Sequence, residues 1–187
     1  VATDGHPSSF VALVVSDGPW RAALLEDLPP RVRALHPADV HVTLAFLGGV
    51  TPERARAAFD AAAAVPLRAL DARLGPVVPL GPEGRWTALS ALLVDAPPLV
   101  AAMKAVRTVA AVAAAVAEET REPLPHVTIA RLHAKASPAE RAAAVRWAEE
   151  RRPTGALHLD RLALYTGRRH KDPGAPAYDV VAEATLG

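Results

Sequence analysis

His41-Val42-Thr43-Leu44-Ala45-Phe46-Leu47 returns later in the chain as His126-Val127-Thr128-Ile129-Ala130-Arg131-Leu132. Five of the seven positions are identical, and a sixth exchanges Leu for Ile. In a β-strand successive side chains point to opposite faces, so residues two apart share a face. His41 and Thr43 therefore point one way and Val42, Leu44 and Phe46 the other. Each copy reads as a strand with an apolar back, Phe46 included in the core, and a front that carries an imidazole and a hydroxyl. A single His-x-Thr is a weak signal in a chain with 7 His. Two copies with matching apolar positions are a far stronger one, and they disfavour two ordinary amphipathic strands with surface histidines.

The surroundings repeat as well. T-P-E-R-A-R-A-A at 51–58 answers S-P-A-E-R-A-A-A at 137–144. Thr51 before Pro52 is a helix start, because a hydroxyl caps free N–H groups and Pro suits the first helical position. Ser137 with Glu140 has the capping-box spacing. Working outward, residues 10–75 read strand (10–15), helix (20–28), strand, helix (52–64), strand (67–75). Residues 86–166 repeat that order: strand (86–94), helix (97–119), strand, helix (138–152), strand (157–166). An irregular approach covers 31–39, and a turn-rich crossing with Pro76, Pro79 and Pro82 leads out of the first half. A basic loop at 167–176 precedes a last strand at 178–185. Leu99, Met103, Val106, Ala110 and Ala113 mark the buried stripe of the long helix.

This order predicts an internal duplication, with halves of roughly 10–80 and 86–185 inside one bilobal domain spanning 1–187. The expected fold class is α+β: two pseudo-symmetric lobes, each a mainly antiparallel sheet with helices on its outer side, around a central cleft. A pseudo-two-fold axis between the lobes brings His41 and His126 face to face.

The 187 residues are enough to bury a sizeable core. Hydrophobic residues reach 51%, much of it alanine, and the most apolar run, Val109 to Ala117, is too short to span a bilayer. The first residues, 1–9, are polar and include Asp4, unlike a secretory leader. There is no cysteine, which excludes disulfides and thiolate chemistry and fits a reducing cytoplasm. A net charge of +1 is too small for coating long nucleic acid, so any such contact is local, at an end or a single phosphate. The expectation is a cytoplasmic monomer with no membrane association and no obligate protein partner.

Imidazole has the side-chain pKa nearest neutrality, so one His takes a proton while another gives one. Two on opposite walls suit in-line displacement at phosphorus, one activating the incoming oxygen and the other protonating the departing one. The Thr hydroxyl beside each can donate to non-bridging oxygens as their charge grows. Nothing in this scheme requires a metal or a cofactor.

H-V-T-L-A-F-L-G at 41–48, P-H-V-T-I-A-R at 125–131, the FVALVV strand, L-Y-T-G-R at 164–168 and Tyr178-Asp179-Val180 together resemble the 2H phosphoesterases. The likeness is to their RNA 2′,3′-cyclic phosphodiesterase branch, also called 2′-5′ RNA ligase, and covers nearly the whole chain. It implies a bilobal fold with RNA 3′ ends or small cyclic nucleotides in the cleft. It also implies hydrolysis of a 2′,3′-cyclic phosphate to a 2′-phosphate, and reversible 2′-5′ RNA ligation. By the same likeness His41 is the proton donor to the leaving 3′-oxygen, His126 the proton acceptor from water, and Thr43 and Thr128 hold the phosphate. Arg131, further along the second strand and taken to share its front if that strand is regular, adds a guanidinium fork. The alternative is a non-catalytic module that grips RNA ends or small nucleotides.

His36, His133, His158 and His170 show no metal-ligand spacing, and no metal site is expected. Arg168, Arg169 and Lys171 read equally as a solvated loop or a phosphate clamp. Trp86 and Tyr165 could stack a base, but packing or plain surface is the better reading; Trp20, Trp147 and Met103 are structural.

Overall fold

The computed structural model describes residues 5–169, 172 and 174–187. All but the last residue of FVALVV lies in β1 (Ser8–Val14), flanked in one sheet by β3 (His41–Gly49) and β8 (Arg161–Gly167), with β9 (Tyr178–Thr185) outside β8. The second sheet runs β2 (Val32–Ala34), β6 (His126–Leu132), β5 (Ala88–Val94), β4 (Leu70–Leu80), β7 (Ala156–Leu159). All pairings are antiparallel. The order β3-β1-β8-β9 maps onto β6-β5-β4-β7, so the two repeat strands occupy equivalent places, and β2 is an addition with no counterpart.

The sheets do not coincide with the sequence halves. β4, from the first half, pairs with β5, and β8, from the second, pairs with β1. The first half thus gives β2 and β4 to the second sheet, and the second half gives β8 and β9 to the first. The single strand expected over 157–166 is two, because the chain passes from one sheet to the other at Asp160. The strand expected over 67–75 runs on to Leu80 through Pro76 and Pro79. Proline lacks an N–H and is tolerated where a strand edge is free. Beyond Arg73 β4 has β5 on one side only, since β7 pairs with residues 70–73 alone. Within the approach expected to be irregular, β2 pairs with β6.

The repeat strands are not regular either. Ala12 faces Thr43 and Val11 faces Ala45, which leaves Leu44 as an extra residue on β3. In β6, Ser90 faces Thr128 and Leu89 faces Ala130, which leaves Ile129 extra at the equivalent place. Such a bulge shifts the alternation by one. Both strands accordingly show the same burial sequence, in which the sixth residue, Phe46 or Arg131, is exposed. Phe46 faces Phe10 across the ladder on the same side as His41 and Thr43 and is 60% exposed, which corrects its placement in the core. Arg131 also reaches the front, though for a different reason than expected. It lies three residues past Thr128, so a regular strand would have turned it to the back.

Helices cover the sheet backs. They are α1 (Pro19–Leu24), α2 (Pro52–Ala63), α3 (Pro97–Ala114) and α4 (Pro138–Glu150). Thr51 caps α2, and Ser137 with Glu140 completes the capping box of α4. α3 ends five residues before the expected 119, at a left-handed Ala115 (φ 51°). Arg54 of α2 donates to the carbonyls of Ala114 (2.6 Å) and Ala115 (2.5 Å), where a cation suits the negative helix end. By length and composition alone α3 could cross a membrane. In this fold it packs against α2 and β3, burying Leu99, Met103, Val106 and Ala110, which accounts for its apolar character. The backs of both sheets and the helices share one core.

Leu44 and Ile129 fill that core from the two bulges, both fully buried. Truncating a buried Leu or Ile to Ala leaves a cavity and costs about 2–5 kcal/mol. Leu44→Ala and Ile129→Ala should each lower the urea-unfolding free energy by that amount while leaving the far-UV spectrum intact.

Candidate active site

Each strand delivers its His in the same way. His41 Nδ1 lies 2.7 Å from the carbonyl oxygen of Asp39, and His126 Nδ1 lies 2.7 Å from that of Leu124. A carbonyl only accepts, so Nδ1 carries the proton in both rings. Nε2 of each is then free to hold or release a proton. Both side chains are half-buried, as are Thr43 and Thr128.

The front of the first sheet is an aromatic bed. Phe10, Tyr165 and Tyr178 lie 4.5, 5.1 and 5.8 Å from the His41 ring, centroid to centroid. Tyr165 is 1% exposed, and burial pushes its hydroxyl up to about 12, so it stays protonated. Its reading as a packing residue is correct, with His41 as what it packs against. Burial also drives His41 down to about 4; the charges of His126 and Arg131 act in the same direction, and the hydrogen bond to Asp39 opposes them. The charges of His126 and Arg131, on the second sheet, thus reach His41 on the first.

Asp39 is a site residue that the sequence reading missed. It is 4% exposed and sits in a 3-10 turn (Pro37–Asp39) directly before β3. Its carboxylate accepts from the backbone N–H of Ala177 (2.8 and 2.9 Å) and Tyr178 (3.2 Å). The same residue therefore orients His41 through its main chain and anchors the start of β9, with Tyr178, through its side chain. A lone Asp in an approach segment gives no sign of this, because its partners lie far along the chain. Ser90 was missed for a similar reason. It is fully buried opposite Thr128, and the two hydroxyls are 3.0 Å apart.

Thr43 and Phe46 from β3 and His126 from β6 line one cavity of about 660 Å³, closed by Leu80, Arg107 and Leu124. Arg131 lines a second, of about 440 Å³, with Asp39 and Tyr178. Trp86 packs against the core beneath the Arg141 guanidinium, 5.5 Å from its ring, and is not among the residues lining either cavity. His158 pairs with Asp71 at the surface, 2.8 Å away, which raises its pKa. In the basic loop, Arg168 pairs with Asp179 at 2.7 Å; His170 and Lys171 lie outside the described residues. Among the described residues no three His, Asp or Glu side chains come together as a metal-ligand set.

The fold has solved counterparts. A protein described as a phosphoesterase superposes with a TM-score of 0.72 at 19% identity, over 97% of this chain and 98% of that one. E. coli LigT complexed with 3′-AMP gives 0.71 at 20% identity, over 96% and 98%. The protein TT0787 of Thermus thermophilus gives 0.67 at 21%, over 96% and 97%. No curated protein matches the sequence. The model of the 2′-5′ RNA ligase superfamily matches residues 16–171. With that match spanning both His-x-Thr strands, the chain belongs to the 2′-5′ RNA ligase superfamily, the 2H phosphoesterases.

Proposed function

We propose that the protein hydrolyses 2′,3′-cyclic phosphate at an RNA end or on a small nucleotide, leaving a 2′-phosphate; with a 5′-hydroxyl in place of water the same displacement gives a 2′-5′ linkage. The observation that carries this reading is the matched pair of imidazoles, each with Nδ1 tied to a carbonyl and Nε2 free. Two such nitrogens supply the two proton transfers of an in-line displacement. Nε2 of His126 takes a proton from water as the water oxygen bonds to phosphorus. The phosphorus–3′-oxygen bond breaks, and that oxygen takes the Nε2 proton of His41. Thr43, Thr128 and Arg131 donate to the non-bridging oxygens, whose charge rises in the transition state. The exposed ring of Phe46, in the cavity shared by Thr43 and His126, offers a face on which a base can stack.

The low pKa of His41 gives this scheme a condition. In the free protein His41 is neutral at pH 7. A bound phosphate offsets the charges of His126 and Arg131 and favours the imidazolium. The scheme therefore requires that substrate binding be coupled to uptake of a proton by His41, against the burial that keeps the free ring neutral.

With chelator present, purified protein should hydrolyse adenosine 2′,3′-cyclic phosphate, and His41→Ala and His126→Ala should each lower kcat/KM by about 10²- to 10⁴-fold. Unchanged turnover in both variants would overturn the mechanism. Asp39→Asn keeps the shape but places a donor against the N–H groups of Ala177 and Tyr178; kcat should drop by about tenfold or more, since losing a buried charged acceptor costs about 1.5–3 kcal/mol. The pH dependence of folding isolates His41. An unfolded His takes its proton near 6.5, and this one folded takes it near 4. Its contribution is complete above pH 6.5 and is lost as the pH falls toward 4. Urea melts should show wild type losing about 3 kcal/mol more than His41→Gln over that interval.

A further inference from the structure

β2 breaks the pseudo-symmetry of the molecule, because the first sheet has no strand at the equivalent edge. Its central residue, Arg33, faces Arg131 directly across the ladder to β6. Residues directly opposite in an antiparallel pair project from the same face with Cβ atoms about 4.5–5.5 Å apart, and like charges there repel. Both side chains are exposed, and among the described residues neither makes a salt bridge. The carboxylate nearest at hand, Asp39, is occupied by two backbone N–H groups. The cavity of about 440 Å³ that both arginines line also contains His36 and Tyr178. His36 Nδ1 accepts from the Ala38 N–H at 3.1 Å, so the ring proton sits on Nε2 as a further donor. Among the described residues the result is a concave site with two guanidiniums and an imidazole N–H, whose one carboxylate, Asp39, is held by backbone N–H groups. A phosphate matches it, since planar guanidiniums grip phosphate oxygens in pairs.

The two-fold mate of Arg131 is Phe46, so the cleft has a different character at each end. An aromatic face lies on one side of the histidines and a doubled positive charge on the other. We infer that Arg33, with Arg131, forms a subsite for a second phosphate group, the one 5′ to the nucleoside whose cyclic phosphate reacts. The favoured substrate is then a phosphodiester-linked RNA end, ahead of a bare cyclic mononucleotide. This rests on the proposed function for the identity of the reacting group, but the anion site itself is independent of turnover.

The test uses two ligands that do not react, adenosine 2′-monophosphate and adenosine 2′,5′-bisphosphate, titrated calorimetrically at fixed salt. Wild type should bind the bisphosphate about tenfold more tightly or better, because a charge-assisted contact to a second phosphate contributes at least that factor. Arg33→Ala should lose that preference and keep its affinity for the monophosphate within about twofold; Arg33→Lys, which keeps the charge without the fork, should fall between. Equal weakening toward both ligands in Arg33→Ala, or no preference in wild type, would overturn the subsite. Hydrolysis of a dinucleotide ending in a 2′,3′-cyclic phosphate is measured in parallel. Its absence alongside an intact bisphosphate preference sinks the proposed reaction and leaves the subsite standing.

Discussion

An imidazole Nδ1–H bonded to the carbonyl two residues earlier, made once in each sheet, is the constraint on which the site depends. It fixes the tautomer and the ring plane together, so that the remaining nitrogen has one direction in which to act. The bond is local, from residue i to i−2. Duplication then copies it. What the rest of the fold adds is difference between the two copies. His41 lies on Phe10, Tyr165 and Tyr178, where burial disfavours its charged form, whereas His126 sits beside exposed Leu124. Equal rings in unequal surroundings are what a mechanism with one donor and one acceptor needs.

The phase of the repeat strands was legible in the sequence as far as the Thr. Period-two alternation placed His41, Thr43, His126 and Thr128 on front faces, and the repeated helix starts at Thr51 and Ser137 located α2 and α4. Alternation then failed at one residue. An extra residue in a ladder depends on the partner strand, here Val11-Ala12 and Leu89-Ser90, and a strand read by itself carries no trace of it. The bulge therefore misplaces Phe46 in the core, and a regular strand, which turns a residue three past Thr128 to the back, does not account for the front position of Arg131. Comparing the two copies offered one clue: a large apolar Phe in one and a charged Arg in the other at the same position suits an exposed site better than a buried one.

The remaining misreadings share a cause, which is that sheet partners lie far apart in sequence. Pro76 and Pro79 read as turn residues because nothing local showed that β4 has a free edge there. Leu157 to Thr166 reads as one strand because both of its parts are apolar, and only the pairing of β7 with β4 and of β8 with β1 separates them. Asp39 and Ser90 belong to the same group, since their partners at Ala177, Tyr178 and Thr128 are brought in by tertiary structure.

The exchange of strands also bears on how the cleft behaves. Were each half a closed lobe, a hinge in one linker could open the gap between the histidines at little cost. Here β4 is hydrogen-bonded into the second sheet and β8 into the first, and β7 and β8 are joined through Asp160 alone. Parting the sheets widely would strain a one-residue connection or strip a strand from a ladder, and would break into the core that both backs share. Paired strands and a common core belong to the most stable part of a fold. The distance between the two walls is therefore set by the architecture rather than by the ligand. A preformed gap favours electrostatic stabilisation of a phosphoryl transition state, because donors already in position need no rearrangement during the reaction. Adjustment to different ligands falls instead to exposed groups at the rim, with Phe46 on one side and Arg131 on the other.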